Sequence, residues 1–547
     1  MVATELERAA TAGAAGGSGP PPAPAAEPQY MDHRQIVVVL IGLMAGMMLA
    51  ALDQSIVGTA LPRIVSELGG LDQLSWVVTA YLLTSTAVTP LWGKLSDLYG
   101  RRLTFQAAIV IFLVGSALCG LSQDMAQLIG FRALQGVGGG GLMAIAFATI
   151  GDVIPPRERG RYQGYFGAVF GLASVAGPLL GGWFTDGPGW RWIFYVNLPV
   201  GLAALVVTSL ALKLRHVRRD HVIDWLGAAT IVGSVSSLLL YLDWAGRDLG
   251  WFAPPSLALL ATAIGLAALF VRIEARAAEP IIPLRLFGNR VFAVGNLYGF
   301  FAGMAMFGAI VFLPLYLQAV QGMSPTASGL AMLPAVIGIF FTSILSGQLI
   351  TRTGRYKVYP VLGAAIIVVG LLLLGRIGVD TPYWQAAVGM FAFGAGLGLT
   401  MQTITTAIQN AVPWRDLGVA TGATTFFRQM GGTIGAAVFG VILANRLASH
   451  LAERFAGVPG TAAGVPGGGV DVNNIEAIQS LPEPIKGMVL SAFSQSLNEV
   501  FLAGIPVALA AFAIALFLPE IPLRTAADHP GPTPDEAPAA EPAQVGL

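Results

Sequence analysis

Two ionisable side chains stand in apolar runs, where such groups are costly. Asp53 lies in "GLMAGMMLAALDQSIVGTALP" and Arg132 in "MAQLIGFRALQGVGGGGLMAIAFATI". Counted along helices, Asp53 is about eight residues, roughly 12 Å, from the outer end of its run. Arg132 is about six residues, roughly 9 Å, from the outer end of its own. At matching depth the two can meet directly or through water. A carboxylate held there can take up a proton from outside when its surroundings disfavour its charge. The alternative is an ion pair that only packs two helices together. A third such residue, Arg428, sits midway through another apolar run beside Gln429 and has no acid in the spans of its own half. It can serve backbone carbonyls, a substrate acceptor or an anion, or act as a hydrogen-bond hub between helices.

A fourth feature is the cluster "GKLSDLYGRR", Gly93 to Arg102. Gly100 can take the left-handed geometry that a tight reversal needs. Asp97 is placed to pair with Arg101 or to cap a helix N-terminus. Read blandly, the cluster is a turn with a cationic anchor.

The elements that carry these residues follow from composition. Hydrophobic residues make up 55% of the 547-residue chain and charged residues 11%, and the mean hydropathy is +0.71. A soluble protein carries about 25% charged residues. Lipid is therefore the solvent for most of this chain. Backbone groups in lipid must be satisfied internally, so the predicted class is all-α integral membrane. Fourteen stretches read as transmembrane helices. Formal net charge is zero, which argues against nucleic acid as a partner. There is no GxxxxGK[ST] loop, so no nucleotide is expected. The five histidines show no metal-ligand spacing and no nucleophile–base constellation is present. We expect no metal, no cofactor and no enzyme. The single cysteine, Cys119, reads as a buried inert thiol.

Orientation follows from cationic loops. With the N-terminus inside, 21 of the 30 Lys and Arg fall in inner tails and loops, and 7 in outer loops. Both termini are expected to be cytoplasmic. The tryptophans cluster near predicted span ends, as an aromatic belt does. Residues 1–33 and 525–547 are rich in Ala, Pro and Gly or acid, and read as disordered cytoplasmic tails. One outer loop, 444–498, is long. Its Gly-rich first part is followed by "IKGMVLSAFSQSL", which puts Ile485, Met488, Val489, Ala492, Phe493 and Leu497 on one helical face. That predicts a helix or hairpin lying on the outer membrane surface.

The chain also repeats. "GKLSDLYGRR" at 93 is echoed by "GQLITRTGRY" at 347, and "PPRERGRYQG" at 155 by "PWRDLGVATG" at 413. Each echo is displaced by eight predicted helices. The simplest organisation is a six-helix half at 34–213, two inserted helices with a cytoplasmic linker at 214–289, and a second six-helix half at 290–524. Repeated bundles of this kind place a substrate site between the halves at mid-membrane.

On these residues the chain resembles the major facilitator superfamily, in its fourteen-span (6 + 2 + 6) drug:proton antiporter type. "GKLSDLYGRR" is similar to the family's loop motif, "GFRALQGVGGG" to its span-4 motif and "ALDQSIVGTALP" to its span-1 motif. "GLASVAGPLLGG" is similar to the span-5 antiporter motif, with Ala173 where the fuller pattern has glycine. "FFRQMGGTIGAAVFG" is similar to a span-13 pattern. The resemblance implies proton-coupled multidrug efflux of amphipathic compounds across the plasma membrane by a monomer, with antibiotic resistance as a consequence. It implies proton coupling through Asp53 and Arg132, and a conformational latch at Gly93, Asp97, Gly100, Arg101 and Arg102. The antiporter motif would comprise Gly164, Gly177, Pro178, Gly181 and Gly182. The second loop motif has Thr351 in place of the acid, so the first copy should carry the latch. Candidate substrate-lining residues are Asp53, Tyr81, Tyr298, Phe301, Gln318, Gln402 and Arg428. With few acids in the spans, lipophilic monocations or neutral compounds are expected in preference to dications. A lipid or glycolipid exporter, suggested by the outer segment, and an uptake symporter are the alternatives.

Overall fold

The computed structural model describes residues 33–69, 73–154, 156–212, 224–245, 250–413, 416–455, 481–482 and 485–523. Among them there is no strand, and fourteen helices have fifteen residues or more. The first six are α1 His33–Leu68, α2 Leu74–Tyr99, α3 Arg101–Leu121, α4 Met125–Val153, α5 Pro156–Asp186 and α6 Asn197–Ala211. Then come α7 Trp225–Trp244 and α8 Pro254–Glu274. The last six are α9 Arg290–Ile310, α10 Leu333–Thr353, α11 Val358–Leu374, α12 Tyr383–Ala411, α13 Leu417–Phe455 and α14 Ile485–Leu516. Twelve stretches among the described residues are long and apolar enough to cross a membrane, and α11 is a shorter apolar helix. α2 carries Thr84, Ser85, Thr86 and Thr89 and ends in the charged motif.

Helix starts are set by local chemistry. Asp124 accepts from the Gln127 amide at 2.8 Å to cap α4, and Asn289 accepts from the Val291 amide at 2.9 Å to cap α9. Gly100 breaks the chain between α2 and α3 with φ 86° and ψ 148°. That conformation is open to glycine and strained for other residues. The expected reversal is there, although ψ is extended rather than left-handed helical.

Each half has its own buried core. Leu43, Phe105, Phe112 and Phe147 belong to the first; Leu313, Tyr316, Phe393 and Phe501 belong to the second. The halves meet along α2 with α13 and along α5 with α10. The two sequence echoes therefore meet crosswise: the first loop motif ends α2 and touches the start of α13, while its echo ends α10, which runs along α5. The inserted pair packs on itself and α7 also lies against α2, with Trp76 and Trp244 edge to face at 6.0 Å.

One expectation is corrected. The segment at 485–498 does not lie on a membrane surface. It continues straight into α14, which runs unbroken for 32 residues. Val489, Ala492, Phe493 and Leu497 are buried in the core of the second half, and Ser494 donates to the Ile377 carbonyl at 3.2 Å. The apolar face found a protein partner, the far end of α11, so it has no need of lipid. α13 likewise runs to Phe455, well past the expected end of its span near 443. The two extensions are joined by Arg446 to Glu499 at 2.7 Å and His450 to Glu499 at 2.9 Å. The Gly-rich part of that loop and the two tails, from 1 to 32 and beyond 523, lie outside the described residues.

Candidate functional site

Three groups of residues combine chemistry with burial. The first is centred on Asp53, which is 0% exposed, and Arg132, 1% exposed. Arg132 pairs with Asp53 Oδ2 at 2.5 Å and donates to Gln135 Oε1 at 2.7 Å and to the Val77 carbonyl at 3.1 Å. Gln135 Nε2 donates to Asp53 Oδ1 at 2.8 Å. Asn197 Nδ2 bridges Asp53 Oδ1, at 3.2 Å, and the Ser116 hydroxyl, at 3.0 Å. The Arg132 guanidinium lies over the Tyr81 ring, 4.3 Å from its centroid. Helices α1, α2, α4 and α6 thus converge on one carboxylate, with Ser116 of α3 behind Asn197. Every charge is matched and hydrogen-bonded, which is the condition for keeping a charge in an apolar interior. The depth match between Asp53 and Arg132 is realised as direct contact. Asn197 was not singled out in the sequence; an amide near the start of an apolar run was the available signal.

The second group joins the halves at the end of the bundle that carries the loop motif. Asp97 Oδ1 pairs with Arg101 at 2.5 Å, and its Oδ2 accepts from the backbone amide of Val419 at 2.8 Å. Val419 lies in the first turn of α13, whose free amides and dipole favour a carboxylate. Both roles foreseen for Asp97, pairing and capping, are filled at once. Arg101 also holds Asp152 at 2.6 Å and bonds the Ser96 hydroxyl. Beside this, Arg285 makes a bidentate pair with Asp416 at 2.8 and 2.9 Å, just before α13. Gln409 on α12 donates to the Phe147 carbonyl of α4 at 3.0 Å. Arg102 is exposed and outside the cluster. Thr351, in the second copy, donates to the Gly347 carbonyl of its own helix at 2.9 Å.

Gly93 is where α2 and α13 touch. A Cβ there would lie 2.8 Å from the Gly418 carbonyl oxygen and 3.2 Å from Gly422 Cα. Both are backbone atoms, so the helices themselves must part. Gly93→Val is expected to lower the population joined at this end by on the order of tenfold. Distance distributions between spin labels on Arg102→Cys and Arg355→Cys check it; an unchanged distribution contradicts the contact's importance.

The antiporter-motif residues straddle two helices. Gly177 and Gly181 pack on Ser55 and Thr59 of α1. Pro178 and Gly182 face the segment before α10, where a Cβ on Gly329 would lie 3.0 Å from Pro178 and one on Gly182 would lie 3.3 Å from Thr326. Gly164 lies on the same helix. Small residues permit this close approach on both sides at once.

The third group is a narrow cavity between α9, α12 and α13, with room for about one water molecule inside its mouth. Tyr298 and Arg428 line it with Gly303, Met306, Leu397 and Met401. Tyr298 donates to the Pro360 carbonyl at 3.2 Å. The Arg428 guanidinium lies 5.6 Å from the ring of Phe147 in the other half. Phe301 is half-buried nearby on α9, and Gln402 is one residue from Met401 on α12. Gln318 sits in the π-helix Tyr316–Val320 that continues the α9 span, donating to Ser328 at 2.9 Å, towards the far end. Asp53 and Tyr81 do not line this cavity; both are sealed in the first group.

A family model described as Major Facilitator Superfamily matches residues 43–436. An uncharacterized MFS-type transporter of Mycobacterium tuberculosis is 42% identical over 486 residues, 89% of this chain and 70% of that protein. Multidrug transporter protein MdtP of Bacillus subtilis is 39% identical over 507 residues, 89% of this chain and 93% of that one. Multidrug resistance protein 3 of Bacillus subtilis is 36% identical, covering 90% and 96%. Among solved structures, the proton:xylose symporter XylE superposes with a TM-score of 0.60 at 14% identity, covering 90% of this chain and 98% of that one.

Proposed function

Given that the chain belongs to the major facilitator superfamily, we propose that this transporter is a fourteen-span, proton-coupled efflux antiporter for amphipathic organic compounds. It works in the plasma membrane as a monomer, with both termini and the motif end in the cytoplasm. Relatives named as multidrug transporters and efflux pumps, matched along most of their length, support the cargo class. The observation that carries the mechanism is the sealed Asp53–Arg132 pair.

In this reading Asp53 takes up the driving proton at Oδ2. The new O–H bond cancels the carboxylate charge and frees Arg132, whose guanidinium then has to find another partner. Its neighbours Gln135 and the Val77 carbonyl keep it solvated during the exchange. The helices around Asp53 include α1, which α5 grips through Gly177 and Gly181 while touching the α10 side through Pro178 and Gly182. A change at Asp53 is thereby carried to the contact between halves. The Asp97–Arg101–Val419 cluster holds the cytoplasmic end shut until that change arrives. Tyr298 and Arg428, with Phe301 and Gln402 beside them, form the substrate side. A lipid cargo loses its main motive, because the segment that suggested it is part of α14.

The test is transport in proteoliposomes under an imposed pH gradient, using a set of fluorescent amphiphiles that includes ethidium. Wild type should move at least one of them only when the gradient is present. Asp53→Asn should lose gradient-driven flux and keep binding. Coupled flux at the wild-type rate in Asp53→Asn would remove the proton role from Asp53.

A further inference from the structure

The substrate side of this transporter has a sign. Asp53 is the one acid among the candidate lining residues, yet it is 0% exposed and its charge is consumed by Arg132. The cavity between α9, α12 and α13 has no carboxylate in its lining, and its one charged lining residue is Arg428. Among the described residues the Arg428 guanidinium has no ion pair; its contact is the face of Phe147. The lining hydroxyls offer little competition, since Thr400 donates to Leu397 and Thr424 to Ala420 within their own helices. One residue from the lining, Gln402 is 2% exposed, and neither its Nε2 nor its Oε1 has a partner among the described residues.

A half-buried guanidinium left without an anion is poorly solvated, and it gains from whatever acceptor enters beside it. The remaining lining, with Met306, Leu397 and Met401, is apolar, and its unbranched methionines can move aside to admit an apolar body. From this we propose that the cavity selects amphipathic compounds that present a carboxylate or similar anionic oxygen to Arg428, and disfavours cations of the same shape. The inference rests on the efflux reading for its meaning as cargo selection, but not for its test. Matched cations meet the positive field of Arg428 across an apolar wall and gain nothing in return. The geometry of the guanidinium, planar and forked, adds a preference for carboxylate over a single-point acceptor.

The test is equilibrium binding to the full chain in nanodiscs, with empty nanodiscs subtracted, using three probes on one ring system. These are 9-anthracenecarboxylate, 9-anthracenecarboxamide and 9-(aminomethyl)anthracene at neutral pH. Wild type should bind the carboxylate about tenfold or more tighter than the ammonium. Arg428→Gln should erase that preference, and an unchanged unfolding midpoint read through buried Cys119 reports that the variant is folded. Arg428→Lys should keep part of it. If the ammonium binds as well as the carboxylate in wild type, or if Arg428→Gln keeps the carboxylate preference, the inference is overturned. Were Arg428→Gln to bind none of the probes, the wild-type order would still decide. Because no pH gradient or flux enters the measurement, a failure of proton-coupled export would show in the liposome assay and leave this binding order intact.

Discussion

Asp53→Leu is expected to lower the stability of the folded chain by about 3–5 kcal/mol, more than its change in side-chain volume would suggest. The substitution leaves Arg132 charged, 1% exposed and deprived of its counter-ion. Gln135 and Asn197 also lose the oxygen to which both donate. The penalty comes from the stranded cation, so removing the cation should restore much of it. Asp53→Leu combined with Arg132→Met is expected to recover half of the loss or more, since an apolar pair can replace an ion pair of similar volume at little cost. The chain supplies its own reporter. Cys119 is the single cysteine and is buried, so a thiol-reactive dye in detergent reads the unfolding midpoint. Equal losses in the single and double variants would mean that shape, not charge, governs the site.

The joined state at the motif end should respond to acid with a definite sign. Asp97 stands beyond the apolar stretch of α2, where burial pushes its carboxyl up to about 6 against the pull of Arg101, and the nearby Asp152 charge adds to the rise. Two carboxylates share one guanidinium, so the cluster is one positive charge short. When the halves part and water reaches Asp97, its carboxyl returns to about 3.9. A raised carboxyl binds a proton more tightly in the joined state. Acid therefore favours joining, and that advantage is lost as pH rises through about 6. From about pH 7.5 to about pH 5 the ratio of joined to parted forms should grow by about tenfold. Spin labels on Arg102→Cys and Arg355→Cys read the ratio directly, and Asp97→Asn should flatten its pH dependence. A ratio that falls with acid would reverse the assignment. Lys94 and Glu279, paired at 3.2 Å beside the cluster, balance each other and leave the sign to Asp97.

Much of the candidate site could be read before any coordinates. Depth along two helices placed Asp53 beside Arg132, because a helix advances by a constant rise and lipid sets a common frame. Gly100 announced a reversal, because its backbone region is closed to other residues. Asp97 announced a pair and a cap, although the helix it caps begins at Leu417, in the other half. No local pattern names a partner so distant; the crosswise meeting of α2 with α13 does.

Composition determined that the chain is helical and lives in lipid, since unsatisfied backbone is intolerable there. Repetition determined that it has two halves. Only the tertiary structure decided what the charges do. It closed four helices over Asp53, leaving its charge neutralised, and left Arg428 facing a cavity with no acid to answer it. It also turned the apolar face at 485–498 into protein core instead of a surface anchor. An apolar face records only that it will be covered, and a buried charge only that it must be matched. Which group does either is a property of neighbours brought together from distant parts of the chain.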